Sequence, residues 1–546
     1  MATSGYLETN HVDIDARALA RVAITWRDGI IESIEPLGAP EDDGPYLLPG
    51  FVDAHVHIES SLLPPAEFAR LAVRHGTVAA VCDPHEIANV LGEAGVQAML
   101  ADAATTPFHF LFGAPSCVPA TPFETAGAAL DAAAIGRLLA TPGIGFLAEV
   151  MNFPGVLAGD EEMLARIAQA RERGLPVDGH APGLRGADAA RYAAAGISTD
   201  HECRTLEEAT DKLAAGMRVL IREGSAARDF DRLAPLIATH ADRLMFCSDD
   251  KHPDDLLAGH IDRLVTRAVA AGHDLFDVLR IACLNPVDHY RLPVGRLRPG
   301  EAFDAVLVED LRSFRPLATW LGGRCVARDG QSLLTHRPAT AINRWQPRPI
   351  TVDDLRWPVR STALRAIAAV DGELLTRAID VQPRQHAGCW LPDASQDLAL
   401  LLVLNRYHPA PPALAFVRGF GLERGALASS VAHDSHNLVA VGVDHAALIT
   451  AVNAVVTMGG GLALADGDEL LTLPLPIAGL MSSDEGDEVA RRYAELDRKA
   501  HALGSPLRAP FMTLSFMALL VIPELKLSDL GLFDGSHFRF IDAALA

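Results

Sequence analysis

The sequence predicts an α/β protein built on a (β/α)8 TIM-type barrel, with a small accessory β-sheet domain formed from both flanks of the barrel and an α/β domain at the C-terminal end. Three observations predict it. Between residues 47 and 295, eight apolar strand-like runs alternate with helix-length segments whose apolar residues recur at spacings of three and four. On either side, residues 1–46 and 296–345 carry short alternating stretches split by glycine turns. After about residue 345 the texture changes again, which sets off 346–546.

At the start of the chain, Ala23-Ile24-Thr25-Trp26 and Ile30-Ile31-Glu32-Ser33-Ile34 are separated by Asp28-Gly29 and read as a β-hairpin. The first barrel strand is expected at Leu47 to Val52, because Leu47, Leu48, Phe51 and Val52 have the continuous apolar character of a strand buried on both faces, beside a turn at Pro49-Gly50. The other seven are expected at Thr77 to Val81, His109 to Gly113, Ile144 to Ala148, Pro176 to Gly179, Ile197 to Asp200, Arg218 to Ile221 and Leu244 to Ser248. Asp160 to Arg173 and Leu206 to Ala215 are examples of the helices between them. Gly295 to Gly300 leads into Ala305 to Val308 and then Gly322 to Val326, so the two flanks can share one sheet. Gln346 to Pro349 reads as a linker. Beyond it lie strands (Leu398 to Val403, Leu438 to Val443, Leu470 to Leu473) and helices (His445 to Met458, Asp484 to Leu503). Gly459-Gly460-Gly461 is read as a helix C-cap and turn, not a phosphate loop, since no helix start follows it.

Composition narrows the function classes. A chain of 546 residues exceeds a single core, and with 49% apolar and 21% charged residues it is expected to fold nearly throughout. Lys and Arg number 47 against 70 Asp and Glu, a net charge of −23 that repels phosphate backbones and anionic lipid, so neither nucleic acid nor membrane is expected as a partner. The N-terminus shows no basic stretch before an apolar core, and the apolar run Phe511 to Ile522 is too short for a membrane span and is bracketed by Pro510 and Pro523. Seven cysteines without a C-x-x-C pair argue against a disulfide framework or thiolate zinc site, which makes a reduced, cytoplasmic protein the expectation.

In a barrel of this kind the active site lies at the C-terminal ends of the strands. Five of those ends present metal-ligand types: His55 and His57 on the first, Glu149 on the fourth, His180 on the fifth, His201 on the sixth and Asp249 on the eighth. His55 and His57 are two apart on an extended segment and point to the same side. Any one of these residues is more commonly a rim or hydrogen-bonding group, but as an ordered set they point to a metal centre. Four histidines and two carboxylates exceed the needs of one four-coordinate ion and suit two, bridged by a carboxylate and a hydroxide. Imidazole and carboxylate without thiolate fit divalent Mn, Fe or Zn, and the residues do not choose among them. A water held there has its pKa lowered towards neutrality.

This order of H-x-H, Glu, His, His and Asp resembles the amidohydrolase superfamily. Longer segments resemble the bacterial adenine deaminase family within it: His57-Ile58-Glu59-Ser60-Ser61, Cys82-Asp83-Pro84-His85-Glu86-Ile87, Met151 to Val156, Asp178 to Gly183, Ile221 to Arg228, Ser248-Asp249-Asp250, Ser435-His436-Asn437, Leu473 to Met481 and Gly531 to Asp534. The resemblance covers nearly the whole chain. It implies hydrolysis of free adenine to hypoxanthine and ammonia at a binuclear centre, in purine salvage. His55 and His57 would hold one metal, His180 and His201 the second, Glu149 would bridge, and Asp249 would bind a metal and shuttle the proton. The ions implied are Mn2+ or Fe2+, with Zn2+ as the alternative, and a homo-oligomer (dimer or tetramer) is expected. A plain Glu149 stands where some amidohydrolases carry a carboxylated lysine.

Asp83, His85 and Glu86 follow the second strand; Glu86 is counted with Asp249 and Glu149 as catalytic, and His85 as a substrate contact. Ser60, Arg222, Ser225 and Arg228 are the other expected purine contacts, Ser60 having the alternative role of a helix cap. His433, Asp434 and His436 have ligand-like side chains but fall outside the barrel, which leaves open an additional metal or a place in the active site. Competing readings are an amidohydrolase acting on an N6-substituted adenine or a cyclic amide, and an inactive metal-binding scaffold, which an undamaged ligand set disfavours. A cytidine-deaminase-type zinc site is excluded by the lack of P-C-x-x-C.

Overall fold

The computed structural model describes residues 3–545. Eight parallel strands form the barrel, labelled β1 to β8: Phe51–Val56, Thr77–Cys82, His109–Ala114, Ile144–Val150, Val177–Gly179, Thr199–Asp200, Arg218–Arg222 and Leu244–Cys247. β1 to β5 are hydrogen-bonded in chain order, as are β6 to β8. The Ser198 N–H donates to the Val177 carbonyl at 2.8 Å across the junction between these two runs. A parallel bridge between Val56 and Asp249 closes the ring, bringing the ends of β1 and β8 side by side. Helices lie between the strands and shield their outer faces, as parallel sheets require.

The expected first strand needs correction. Leu47 and Leu48 lie in a separate strand, Tyr46–Pro49, of the flanking sheet, and β1 begins only at Phe51. Gly50 makes the break: a Cβ there would come within 2.2 Å of Val78 Cγ1, so the backbone passes from one sheet to the other where no side chain fits. Both strands are buried on both faces, which is why they read as one apolar run.

The flanking sheet has eight strands and is assembled from both ends of the barrel segment. Tyr46–Pro49 sits at its middle, parallel to Gly5–Asp13 and antiparallel to Ala305–Val308. Asp28 (φ 49°) and Gly29 (φ 84°) both take positive φ in the turn between Ala18–Arg27 and Ile30–Gly38, the conformation a two-residue hairpin favours. Trp26 stacks on Phe303, 4.1 Å between ring centroids, and joins the N-terminal part of the sheet to the part that follows the barrel.

The C-terminal part carries a second eight-stranded sheet, covered by helices His445–Met458 and Gly486–Ala502. Gly459 caps the first helix with φ 78°, and Gly461 opens the next strand. This part is not an independent lobe. Its buried residues, Leu400, Val439 and Leu464 among them, run without a break into one apolar core with Val52, Ala80 and Phe146 of the barrel. The Gly486 N–H donates to Glu67 Oε1 of a barrel helix at 2.8 Å. Docked in this way, the C-terminal part roofs the strand ends where the ligand-type residues lie. No helix among the described residues is long and apolar enough to cross a membrane.

Candidate metal centre

Alternation along β1 turns Asp53, His55 and His57 to one side of the extended chain. Asp53 is fully buried and accepts from the Ser248 N–H at 2.9 Å, with His260 Nε2 at 2.8 Å, so it ties β1 to β8 just beneath the site. Above it, His55 Nε2 and His57 Nε2 are 3.2 Å apart, and Asp249 Oδ1 lies 3.6 Å from the first and 3.2 Å from the second. Ligand atoms bound at about 2.0–2.1 Å around a tetrahedral ion are separated by about 3.3–3.4 Å. The triangle therefore fits a cation. Two imidazole nitrogens facing each other at this range otherwise have only a shared proton between them.

Glu149, at the end of β4, divides its two oxygens. Oε1 is 3.4 Å from His57 Nε2, while Oε2 is 2.6 Å from His180 Nδ1 and 3.1 Å from His201 Nε2. One carboxylate thus touches both histidine pairs, the placement a bridging ligand needs. Glu202, next to His201, completes a second group with His180 and His201, and His57, Asp83, His85 and Glu149 make another. All are buried or nearly so.

The electrostatics match. Burial drives the Glu149 carboxyl up, but His180 and His201 outweigh it and hold it well below the usual carboxylate range. Asp249 is treated likewise, with burial opposed by Arg222, His55 and His57. His180, against the pull of its own burial, is raised to about 9 by Glu149 and Glu202. The carboxylates of this centre demand positive charge, which imidazolium protons or metal cations can both supply.

The structure brings together His55, His57, Glu149, His180, His201 and Asp249, and sets His85 and Glu86 beside them. His85 Nδ1 lies 3.1 Å from Asp83 Oδ2 and 3.4 Å from Glu149 Oε1. Ser60 stands at the edge, its Oγ donating to Asp250 Oδ1 at 2.5 Å. Three expected purine contacts need correction. Arg222 is 3% exposed and spends all five N–H groups on carboxylates: two on Glu202, two on Asp229 Oδ2 at 3.0 and 3.1 Å, and one on Asp249 Oδ2 at 2.8 Å. No donor is left for a ring. Ser225 donates to Asp255 Oδ2 at 2.6 Å and accepts from the His252 N–H, a local brace outside the centre. Arg228 is 38% exposed and binds the Gly224 carbonyl on the rim.

Sequence reasoning put His433, Asp434 and His436 outside the barrel. The structure places them over its mouth: His433 Nε2 is 3.0 Å from Glu86 Oε1 and 3.4 Å from Asp250 Oδ1, His436 pairs with Glu86 Oε2, and Asp434 Oδ1 is 3.6 Å from His85 Nε2. His433 is held up near 9, where Glu86 and Asp250 overcome its burial. Glu202 was not singled out, although its place directly after His201 at a strand end was a usable signal.

A narrow pocket of about 30 Å3 runs between these groups and an apolar wall of Met151, Leu374, Phe516, Leu519 and Val521. Outside it lies an open cavity of about 1080 Å3, bounded by Arg204, Arg228 and Arg508, which shares Glu202, Leu374 and Val521 with the inner pocket.

Residues 46–326 match the amidohydrolase family, and residues 373–539 match the adenine deaminase C-terminal domain. The chain is 55% identical to an adenine deaminase of Salinibacter ruber across 97% of both chains. It is 52% identical to an adenine deaminase of a Sulfurovum species, across 98% of this chain and 99% of that one. An adenine deaminase of Methanosarcina mazei is 47% identical, across 97% and 98%.

Proposed function

The chain belongs to the adenine deaminases of the amidohydrolase superfamily, and from that membership we propose that it hydrolyses free adenine to hypoxanthine and ammonia at its buried histidine–carboxylate centre. The observation that carries the reading is Glu149, whose two oxygens face two separate histidine pairs at the mouth of a barrel. His55, His57 and Asp249 would hold one divalent ion and His180 and His201 the other, with Glu149 between them. The donor set of imidazole and carboxylate suits divalent Mn, Fe or Zn alike, and the family resemblance favours Mn2+ or Fe2+. Bound there, such ions supply Lewis acidity that makes water a nucleophile near neutral pH.

The protein's own groups do the rest. Asp249 takes the proton of the attacking water on the oxygen facing His57 and delivers it to the departing amine, the two proton transfers of general acid–base catalysis. Arg222 grips its other oxygen and keeps it aimed. Glu86, His433 and Asp434 offer donors and acceptors to the ring nitrogens, while Leu374, Phe516 and Val521 cover the apolar ring and exclude water. Cytoplasmic purine salvage is the setting this reaction fits.

The test is turnover by protein reconstituted with Mn2+ or Fe2+, beside a chelated control, read as ammonia from adenine and adenosine, methylamine from N6-methyladenine and the ring-opened N-carbamoyl acid from a hydantoin. Turnover of adenine exceeding that of the others by several orders of magnitude, and lost on chelation, is expected. A preference for the cyclic amide, or full activity in metal-free protein, would overturn the reading.

A further inference from the structure

Lys526 is 0% exposed and forms no ion pair with any carboxylate among the described residues. Its ammonium donates instead to two carbonyls, Leu374 O at 2.6 Å and Phe516 O at 2.9 Å. These carbonyls belong to segments far apart in sequence: the loop between strands Leu364–Ala369 and Thr376–Val381, and the end of helix Pro510–Phe516. The strand that carries the lysine, Leu525–Ser528, is itself stitched to both segments, with Thr376 Oγ1 donating to Leu525 O at 2.7 Å and the Leu527 N–H to Met517 O at 3.0 Å. A buried amine with only carbonyl partners is costly, and burial alone pulls its pKa down to about 7. A methionine of similar length would pack there without that cost.

What the lysine holds is the wall of the inner pocket. Leu374 and Phe516 both line that pocket, and Leu374 with Val521 also faces the outer cavity, so this wall is the partition between the two. From outside, Glu373 is tied to Arg204 on a barrel loop and lies 3.8 Å from Arg232 on the short helix Phe230–Leu233, which presses the same loop onto the site.

The partition lines the same inner pocket as the metal-ligand side chains. Hydrolysis at C6 puts the six-membered ring of adenine towards those side chains, and N9 lies across the bicyclic system from C6. With C6 at those side chains, a substituent on N9 would be directed away from them, towards the side where Leu374 and Val521 separate the inner pocket from the outer cavity, which at about 1080 Å3 has ample room for a sugar. We propose that Leu374, clamped by Lys526, is the specificity-determining barrier that confines this enzyme to purines unsubstituted at N9, Lys526 acting as its positioning residue. This rests on the adenine reading above and names what within the site enforces the free base.

The experiment compares kcat/KM for adenine and for adenosine in metal-loaded wild type, L374A, K526M and the double variant. The adenosine-to-adenine ratio is expected to rise at least tenfold in L374A and in K526M, and the double variant should exceed the larger single effect by less than twofold, because the lysine acts through the leucine. A merely structural lysine would lower both substrates alike and leave the ratio unmoved. Should K526M not fold, L374A retains the lysine and carries the test alone. A ratio within threefold of wild type in folded, metal-loaded L374A, or loss of both activities in it, overturns the proposal. Wild-type protein inactive on adenine would instead undo the functional reading.

Discussion

Arg222→Met removes the one cation shared by three buried carboxylates. In the native protein its five N–H groups reach Glu202, Asp229 and Asp249, and every partner is at least 94% buried. Methionine fills much of the same space but donates nothing, so three carboxylates lose a buried counter-charge together, Asp229 keeping only the half-exposed Arg232 at 3.3 Å. Breaking a buried ion pair by deleting one partner costs about 3–5 kcal/mol, a large share of a total stability of about 5–15 kcal/mol. Metal ions at the centre would offset part of the cost at Asp249 but none at Asp229, which lies on the far side of the guanidinium. Catalysis should suffer separately, because Asp249 Oδ2 loses its 2.8 Å anchor, and a misplacement of about 1 Å costs about 10²-fold. Denaturant titration and steady-state ammonia release at matched metal content measure the two effects. The expected result is a loss of about 3–5 kcal/mol with kcat down about 10²-fold and KM for adenine within threefold; R222K, with three donors, should fall between. Stability within about 1 kcal/mol of wild type, or a tenfold rise in KM with kcat intact, would refute the reasoning, the latter because it would place the guanidinium against the ring.

Asp249→Asn should leave the fold intact and cut kcat by about 10² to 10⁴, since a carboxamide cannot carry the proton; a drop of only a few-fold at unchanged metal content would rule out that role. Stripping the metals should lower the melting temperature as well as abolish turnover, because an ion present at 100 times its dissociation constant stabilises by about 2.7 kcal/mol, and calorimetry before and after re-addition checks this. Lys526 titrates near 7 in the folded protein and near its ordinary 10.5 when unfolded, so between those values the unfolded chain binds the extra proton and stability rises with pH. The slope approaches about 1.4 kcal/mol per pH unit for this one group, and it should vanish in K526M; identical slopes in the two proteins would contradict the assignment.

The barrel was legible because its signals are local. Each strand is a short apolar run with a length of its own, and the side-chain alternation that converges His55 with His57 depends on two residues and nothing else. The failure at Leu47 and Leu48 has the same origin. Burial on both faces erases the period-two pattern, so a strand of the flanking sheet and β1 looked like one, and only the close approach of Val78 at Gly50 separates them.

The sequence by itself determined which strand ends carry ligand-type side chains, and so the chemistry open to the centre, because backbone geometry alone sends those residues to one face of the barrel. Its net charge of −23 also sets the expectation that phosphate backbones and anionic lipid are repelled. Only the tertiary structure decided how each polar group is spent. Arg222 looked free to bind a purine until three carboxylates were seen around it. His433 lies almost 350 positions from Glu86 in the chain, yet the two are 3.0 Å apart. Hydrogen-bond capacity is finite and short-ranged: a side chain's type says what it can donate, and the company it keeps across the fold decides whether anything is left to give.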